Sequence, residues 1–371
     1  MHQYLQRRLR GMTLVEILVV IGIIGLLAAI MVPSVKYQYR NRAVIEGERQ
    51  LNAFIGASQA RAQQIGRPVG IWVERFIKEA PVPIVGANAA LNPALPAGAN
   101  YSVNIYQAEI PRPYIGDLRD SRVTVANNGT DWIINFPPAS SLLNPNNPLI
   151  RPGERFKIQL DHRGPFHEAV RLAVPTVAGA AEYVLLLDAV GAGAQIPKAA
   201  LSGSGVPYTV HRRPVRSFNA PLRLPQGTVV DLSVSGIGPG GYEFNSTLAA
   251  AQRPVVIMFQ PDGSVGDVYY DGTVDRPLGW IHLLVGRQEQ VNPTSPLLDT
   301  ETETANLMNT ANRWVSINHR TGTVTSEVLD NINNWVRVAP NPANLTLADK
   351  ISFSRLLVRT GTGLELSLIH I

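Results

Sequence analysis

Three stretches carry residue types at spacings that could support chemistry. Gly236-Ile237-Gly238-Pro239-Gly240-Gly241 satisfies G-x-G-x-x-G after a strand-like run. A dinucleotide cradle needs such a loop to open a helix, so that backbone N–H groups converge on the pyrophosphate. Here Tyr242-Glu243-Phe244-Asn245 follows and reads as extended, so the loop is expected to be a flexible turn. Asp161-His162 and His167-Glu168 offer metal-ligand atoms, but Gly164-Pro165 breaks any helix that would align them. They are read as a turn with exposed polar groups, and no metal or other cofactor is predicted. His211-Arg212-Arg213-Pro214-Val215-Arg216 is the densest basic cluster. Arg212, Arg213 and Arg216 could meet DNA phosphates, although only Phe218 offers a stacking surface; the alternative is a solvated loop. Asp262, Asp271, Asn318 and His319 are read as turn or surface residues, with none of the EF-hand pattern. No G-x-S-x-G occurs and cysteine is absent, which removes thiolate nucleophiles, thiolate metal sites and disulfides. The expected answer on catalysis is that the chain is not an enzyme.

A fourth chemical group stands in an unusual place. From Met12 to Val32 the chain is apolar except for Glu16. At about 1.5 Å per residue, a helix of that length matches the ~30 Å hydrocarbon core of a bilayer. Arg7, Arg8 and Arg10 precede it, and the positive-inside rule keeps that end cytoplasmic. A carboxylate inside a bilayer costs about 2.5–3.5 kcal/mol on insertion scales, which makes Glu16 a functional candidate. A secretory signal is cleaved after its apolar segment, at small residues. Pro33-Ser34-Val35-Lys36-Tyr37 makes a poor site of that kind, whereas Gly11 lies before the run. The net charge of +5 falls to +2 without the leader arginines, so a polyanionic partner is weakly supported.

Basic leader, glycine, then apolar helix: in that order Arg10-Gly11-Met12-Thr13-Leu14-Val15-Glu16 resembles the leader of type IV prepilins and type II secretion pseudopilins. The resemblance implies cleavage between Gly11 and Met12 by a prepilin peptidase, with methylation of the new Met12 amine by the same enzyme. It implies that Glu16 pairs with the N-terminal amine of a neighbouring subunit during filament assembly. Pro33 falls where many pilins carry a helix proline, which permits a kink. Met12 departs from the usual phenylalanine. Partners implied are the peptidase/methyltransferase, other pilins or pseudopilins and the inner membrane. The protein would then be a single-pass inner-membrane subunit with its head periplasmic, or extracellular in the assembled filament. Ala57-Ser58-Gln59-Ala60-Arg61-Ala62 leading through Gly66-Arg67-Pro68 into Val69-Gly70-Ile71 resembles the GspH/FimT group of minor pseudopilins, as does Phe259-Gln260-Pro261-Asp262-Gly263-Ser264. Some members of that group bind DNA for uptake, the alternative reading of the function.

The elements that would position these groups follow from periodicity. Residues 1–11 form the leader, 12–66 the helix, 67–365 the head. The helix is expected to continue past the membrane part, 12–32, with Val35, Tyr39, Ala43, Gly47, Leu51, Ile55, Ser58, Ala62 and Ile65 as its packing stripe and Glu48 off it. Lys78 to Asn100 reads as a loop. Short β-like runs then alternate with turns: Tyr101–Tyr106, Arg122–Val125, Trp132–Asn135, Phe156–Leu160, Tyr183–Leu187, Tyr208–His211, Thr228–Val234, Val255–Phe259, Val268–Tyr270, Trp280–Val285, and Trp314–Ile317 pairing with Thr323–Glu327. The predicted class is α+β: a long N-terminal transmembrane and amphipathic helix packed on a large antiparallel β-rich head. Pro137–Gly153, Ala189–Gly205 and Asn292–Asn312 read as inserts or linkers. Residues 366–371, Leu-Ser-Leu-Ile-His-Ile, match a translated sequencing-library adapter, so they are expected to be an artefact and the native gene to continue.

Overall fold

The computed structural model describes residues 14–76, 100–127, 131–137, 140–144, 149–150, 154–162, 164–172, 184–187, 196–246, 253–271, 273–291, 305–329 and 346–356, with side chains at 28, 30 and 32–37 outside that description. The leader, Met12, most of the expected loop 78–100, and 366–371 therefore lie outside the described residues.

Helix α1 runs from Leu14 to Ile65, 52 residues, through Pro33. It stops where Gly66 takes φ +63°, a left-handed conformation that glycine adopts without a Cβ penalty. The two halves of α1 differ. Leu18, Ile21 and Leu26 are each more than 60% exposed, whereas Val44, Leu51, Ile55 and Ala62 are fully buried. These buried positions step by seven, four and seven residues, so one face of the second half is pressed into the head. The expected stripe is right from Gly47 to Ala62 but drifts at its ends: Tyr39 and Ile65 are exposed, Ala43 is half-buried, and Val44 and Glu48, off the stripe, are buried.

The head is antiparallel throughout its described strands. One sheet contains β1 (Val69–Glu74), β3 (Asn104–Glu109), β10 (Val215–Arg216), β11 (Leu222–Arg223), β13 (Val255–Phe259), β14 (Val265–Tyr270) and β15 (Thr273–Asp275), in the order β10-β3-β1-β13-β14-β15 with β11 also on β3. A second contains β2 (Tyr101–Ser102), β12 (Thr228–Ile237), β16 (Ile281–Arg287), β17 (Arg313–Ile317) and β18 (Val324–Val328), ordered β18-β17-β16-β12-β2. The buried face of α1 joins Ile71 and Ile257 of the first sheet and Val230, Leu283 and Val315 of the second in one core. On the far side of the second sheet, Trp314 and Leu284 are covered by Leu307 and by Ile351 of a C-terminal helix, Leu347–Ser354. That helix opens on a capping box between Thr346 and Asp349.

A third sheet is spliced into the first. Its strands are β4 (Thr124–Asn127), β5 (Trp132–Asn135), β6 (Arg155–Leu160), β7 (Phe166–Arg171), β8 (Val184–Leu186) and β9 (Tyr208–His211), ordered β4-β5-β8-β7-β6-β9. Reciprocal bonds between Val123 and Val206, both 2.9 Å, join its two edge strands, so the sheet closes around a core of its own that includes Ile134, Phe156, Ile158 and Tyr208. The chain leaves the first sheet after Glu109 and returns at Val215, which pairs with Glu109 across the ladder. An insert whose ends are adjacent in this way leaves its host sheet intact. Three sequence readings are corrected here. Leu142 and Ile150, then Ile196 and Ala200, come from the stretches read as inserts or linkers and are core residues of the insert, not linker. His167-Glu168, read with Asp161-His162 as a turn of exposed polar groups, lies in the strand Phe166–Arg171; Asp161-His162, both in left-handed backbone, do form the turn. Asn306, Asn309 and Asn312, from the third stretch read as an insert or linker, are buried: Asn306 bonds Arg287 and Asp231, Asn309 donates to Gln290, and Asn312 donates to Asn306.

Candidate functional site

Glu16 lies in the first turn of α1, where a carboxylate faces the positive end of the helix dipole. It is flanked on the same rod by exposed Val15, Ile17, Val19 and Val20. So long an exposed apolar surface is uncommon on an isolated soluble protein and marks a contact surface. Among the described residues no helix is long and apolar enough to cross a membrane.

A second carboxylate of α1 fastens the helix to the head. Glu48 is 7% exposed. It accepts from the Ser326 hydroxyl of β18 and from Asn52 Nδ2 at 3.1 Å, and lies 3.4 Å from Arg313 Nε of β17. Asn52 also donates to Ser326 Oγ at 3.0 Å. Lower down, Arg40 pairs with Glu289 at 2.6 Å and Arg287 donates to Asn41 at 2.6 Å. These contacts set the rotation of the helix on the second sheet. Periodicity alone placed Glu48 on the solvent side because its partners on the sheet, Arg313 and Ser326, are more than 250 residues away in sequence.

The glycine-rich loop has the wrong polarity for a phosphate. Fully buried Arg355 reaches it from the end of the C-terminal helix. Its Nη1 donates to the carbonyls of Gly238 (2.8 Å) and Pro239 (3.1 Å), and its Nη2 to those of Val234 (2.7 Å) and Gly241 (2.8 Å). The guanidinium also stacks 4.6 Å from the Trp314 ring centre. The amide of Ile237 is taken by Glu243 and that of Gly238 by the Trp280 carbonyl. A phosphate cradle presents N–H groups; this loop presents carbonyls to an internal cation. Tyr242 to Asn245 form a turn rather than the extended run expected.

The His and Asp candidates are also dispersed. His162 bonds Thr209 at 2.7 Å, while His167 points into the insert core. No group of three or more His, Cys, Asp or Glu able to hold a metal ion occurs among the described residues.

The three arginines of the basic cluster separate at the insert junction. Arg213 donates Nε to the Arg155 carbonyl at 2.8 Å and lies over the Tyr269 ring. Arg216 pairs with Glu74 at 3.1 Å and stacks 4.5 Å over Tyr106. Tyr106 and Tyr269 occupy one cross-strand row, Tyr106–Trp72–Val256–Tyr269, three strands apart. At ~4.8 Å per strand, that places the two stacked sites roughly 14 Å from each other. Arg212 is half-buried and its Nε has no hydrogen-bond partner. Burial lowers the Arg212 and Arg213 pKa values, with neighbouring Arg253 adding to the effect on Arg213.

Residues 6–32 match the family described as the prokaryotic N-terminal methylation motif. The match takes in the basic leader, Gly11, Glu16 and the apolar part of α1, and leaves the head outside it. No curated protein and no solved structure matches the chain. The chain thus carries a type IV pilin-like prepilin segment, a substrate of prepilin peptidase found on filament subunits that assemble with other pilins.

Proposed function

We propose that the protein is a minor pilin or pseudopilin, a structural subunit of a type IV pilus or type II secretion filament. Prepilin peptidase cleaves between Gly11 and Met12, and the new Met12 amine is methylated. The apolar half of α1 holds the subunit in the inner membrane and, after extraction, packs among other helices in the filament. Pro33 lies where the helix leaves the apolar run. Glu16 pairs with the Met12 amine of a neighbouring subunit. The observation that carries this reading is the contrast along α1: an exposed apolar half bearing one carboxylate, continuous with a half fastened into the head.

Within that class we place the chain with the GspH/FimT-like subunits. In support, the Ala/Arg-rich helix end turns at Gly66 directly into β1, which pairs with β13, and β13 hairpins through Pro261-Asp262-Gly263 into β14. A DNA-capturing role for Arg212, Arg213 and Arg216 is less favoured, since Arg213 and Arg216 are engaged internally. The test is Glu16→Leu in cells. Membrane insertion should persist while incorporation into filaments fails; normal incorporation would remove the assigned role of Glu16.

A further inference from the structure

The junction between the insert and the first sheet encloses a cleft of about 160 Å³. Ile110, Tyr269 and Val274 supply an apolar wall from the first sheet and its flanks, while Arg155, Lys157, His211, Arg212 and Arg213 supply the opposite side from the insert. Two carboxylates also face it, and each has a cation. Glu168 lies 3.5 Å from Arg155, and Asp267 lies 3.1 Å from Arg276. Glu154 attracts Arg212 and Arg213 from nearby. Among the described residues Lys157 forms no ion pair, the Nε of Arg212 has no hydrogen-bond partner, and Arg213 is held in place by a backbone carbonyl and a ring. Grouping like charges in a partly desolvated cleft is unfavourable unless an anion completes it. The site is a concave junction between two structural units, with apolar walls and convergent polar groups, which is where small ligands bind most often.

We propose that this cleft binds a small soluble oxyanion attached to a compact apolar group, an aryl or short alkyl phosphate or carboxylate. The oxyanion would sit against Arg212 and Lys157, and the apolar part against Tyr269 and Val274. A cavity of ~150 Å³ holds a benzene-sized ring, so the cleft has room for one ring, with its anionic group toward the open side. The observation does not depend on the assembly role of α1, because the cleft lies wholly within the head.

The test is calorimetric titration of the detergent-solubilised full chain with phenyl phosphate, benzoate, inorganic phosphate and benzyl alcohol. Phenyl phosphate or benzoate should saturate one site, and the tighter of the two names the anion class. Inorganic phosphate should bind about tenfold more weakly for want of the apolar contact, and benzyl alcohol should not saturate. Arg212→Met should weaken the anion about tenfold, as expected for a lost charge-assisted hydrogen bond. Lys157→Met, an exposed substitution that leaves the fold intact, should weaken it severalfold. Equal affinity in wild type and Lys157→Met, tighter inorganic phosphate than phenyl phosphate, or no saturation by either ring anion up to about 10 mM would each overturn the proposal.

Discussion

Glu48→Ala separates the fold role of α1 from its assembly role. Substitution leaves the Ser326 hydroxyl and Asn52 without their shared acceptor and Arg313 without its nearby carboxylate. An unsatisfied buried polar group costs about 1–3 kcal/mol, and breaking a fully buried pair about 3–5. Arg313 keeps a quarter of its side-chain surface in water, so the pair counts for less than that upper figure. The expected loss is about 2–4 kcal/mol for Glu48→Ala and about 1 for Glu48→Gln, which keeps an acceptor. Urea unfolding of the detergent-solubilised protein, followed by near-UV circular dichroism, reads this as a lower midpoint at constant slope. Glu16→Leu, measured the same way, should leave the midpoint unchanged, since Glu16 lies on the exposed half of α1 and the face pressed into the head begins at Val44. A Glu48→Ala midpoint within about 0.5 kcal/mol of wild type would refute the assignment of this carboxylate as the fastening of helix to sheet.

Three further outcomes follow from buried contacts. Arg355→Met should destabilise the head by about 3–5 kcal/mol, because three loop carbonyls, the β12 carbonyl of Val234 and the Trp314 face lose one cation; denaturant titration with Trp fluorescence checks it. Asp231 is fully buried, and desolvation raises its pKa above the ordinary carboxylate value despite bonds from Ser233 and Asn306. Its folded state holds a proton to higher pH than the unfolded chain. Its contribution is therefore complete below about pH 4 and is lost as pH rises through the raised pKa, so the stability gap between wild type and Asp231→Asn should narrow from pH 4 to pH 7. Gly47→Val should cost about 1–3 kcal/mol in the same assay, since even a Cβ there would stand 2.9 Å from the Thr228 methyl where helix meets strand.

What could be read from residues alone divides along physical lines. Trp132–Asn135, Tyr208–His211 and Val255–Phe259 are strands with the ends that β-branched and aromatic runs predicted, and the Trp314–Ile317 hairpin partner is β18. Local patterning suffices there because runs of β-branched and aromatic residues favour the extended chain, and in Tyr208–His211 and Val255–Phe259 at least one whole face is buried. Phe166–Arg171 escaped notice because Phe166, Glu168 and Val170 alternate with His167 and Arg171, polar residues whose burial depends on the distant insert core. The insert boundaries were invisible too: Glu109 and Val215 meet in space across more than a hundred residues, flanked by prolines of a kind scattered through the head. Arg355 gave no signal, since a single arginine near the end of a chain reads as surface until the loop carbonyls around it are seen. Glu16 and Gly11, in contrast, sit in a contiguous pattern of leader, glycine and apolar run that needs no tertiary contact to be recognised.

The central claim is that residues 12–32 are retained after processing on their N-terminal side. Intact-mass and N-terminal peptide mass spectrometry of the protein purified from membranes tests it directly. The account predicts a mature chain beginning at Met12 with a methylated amine. A chain still beginning at Met1, or one cut beyond Pro33, would contradict it.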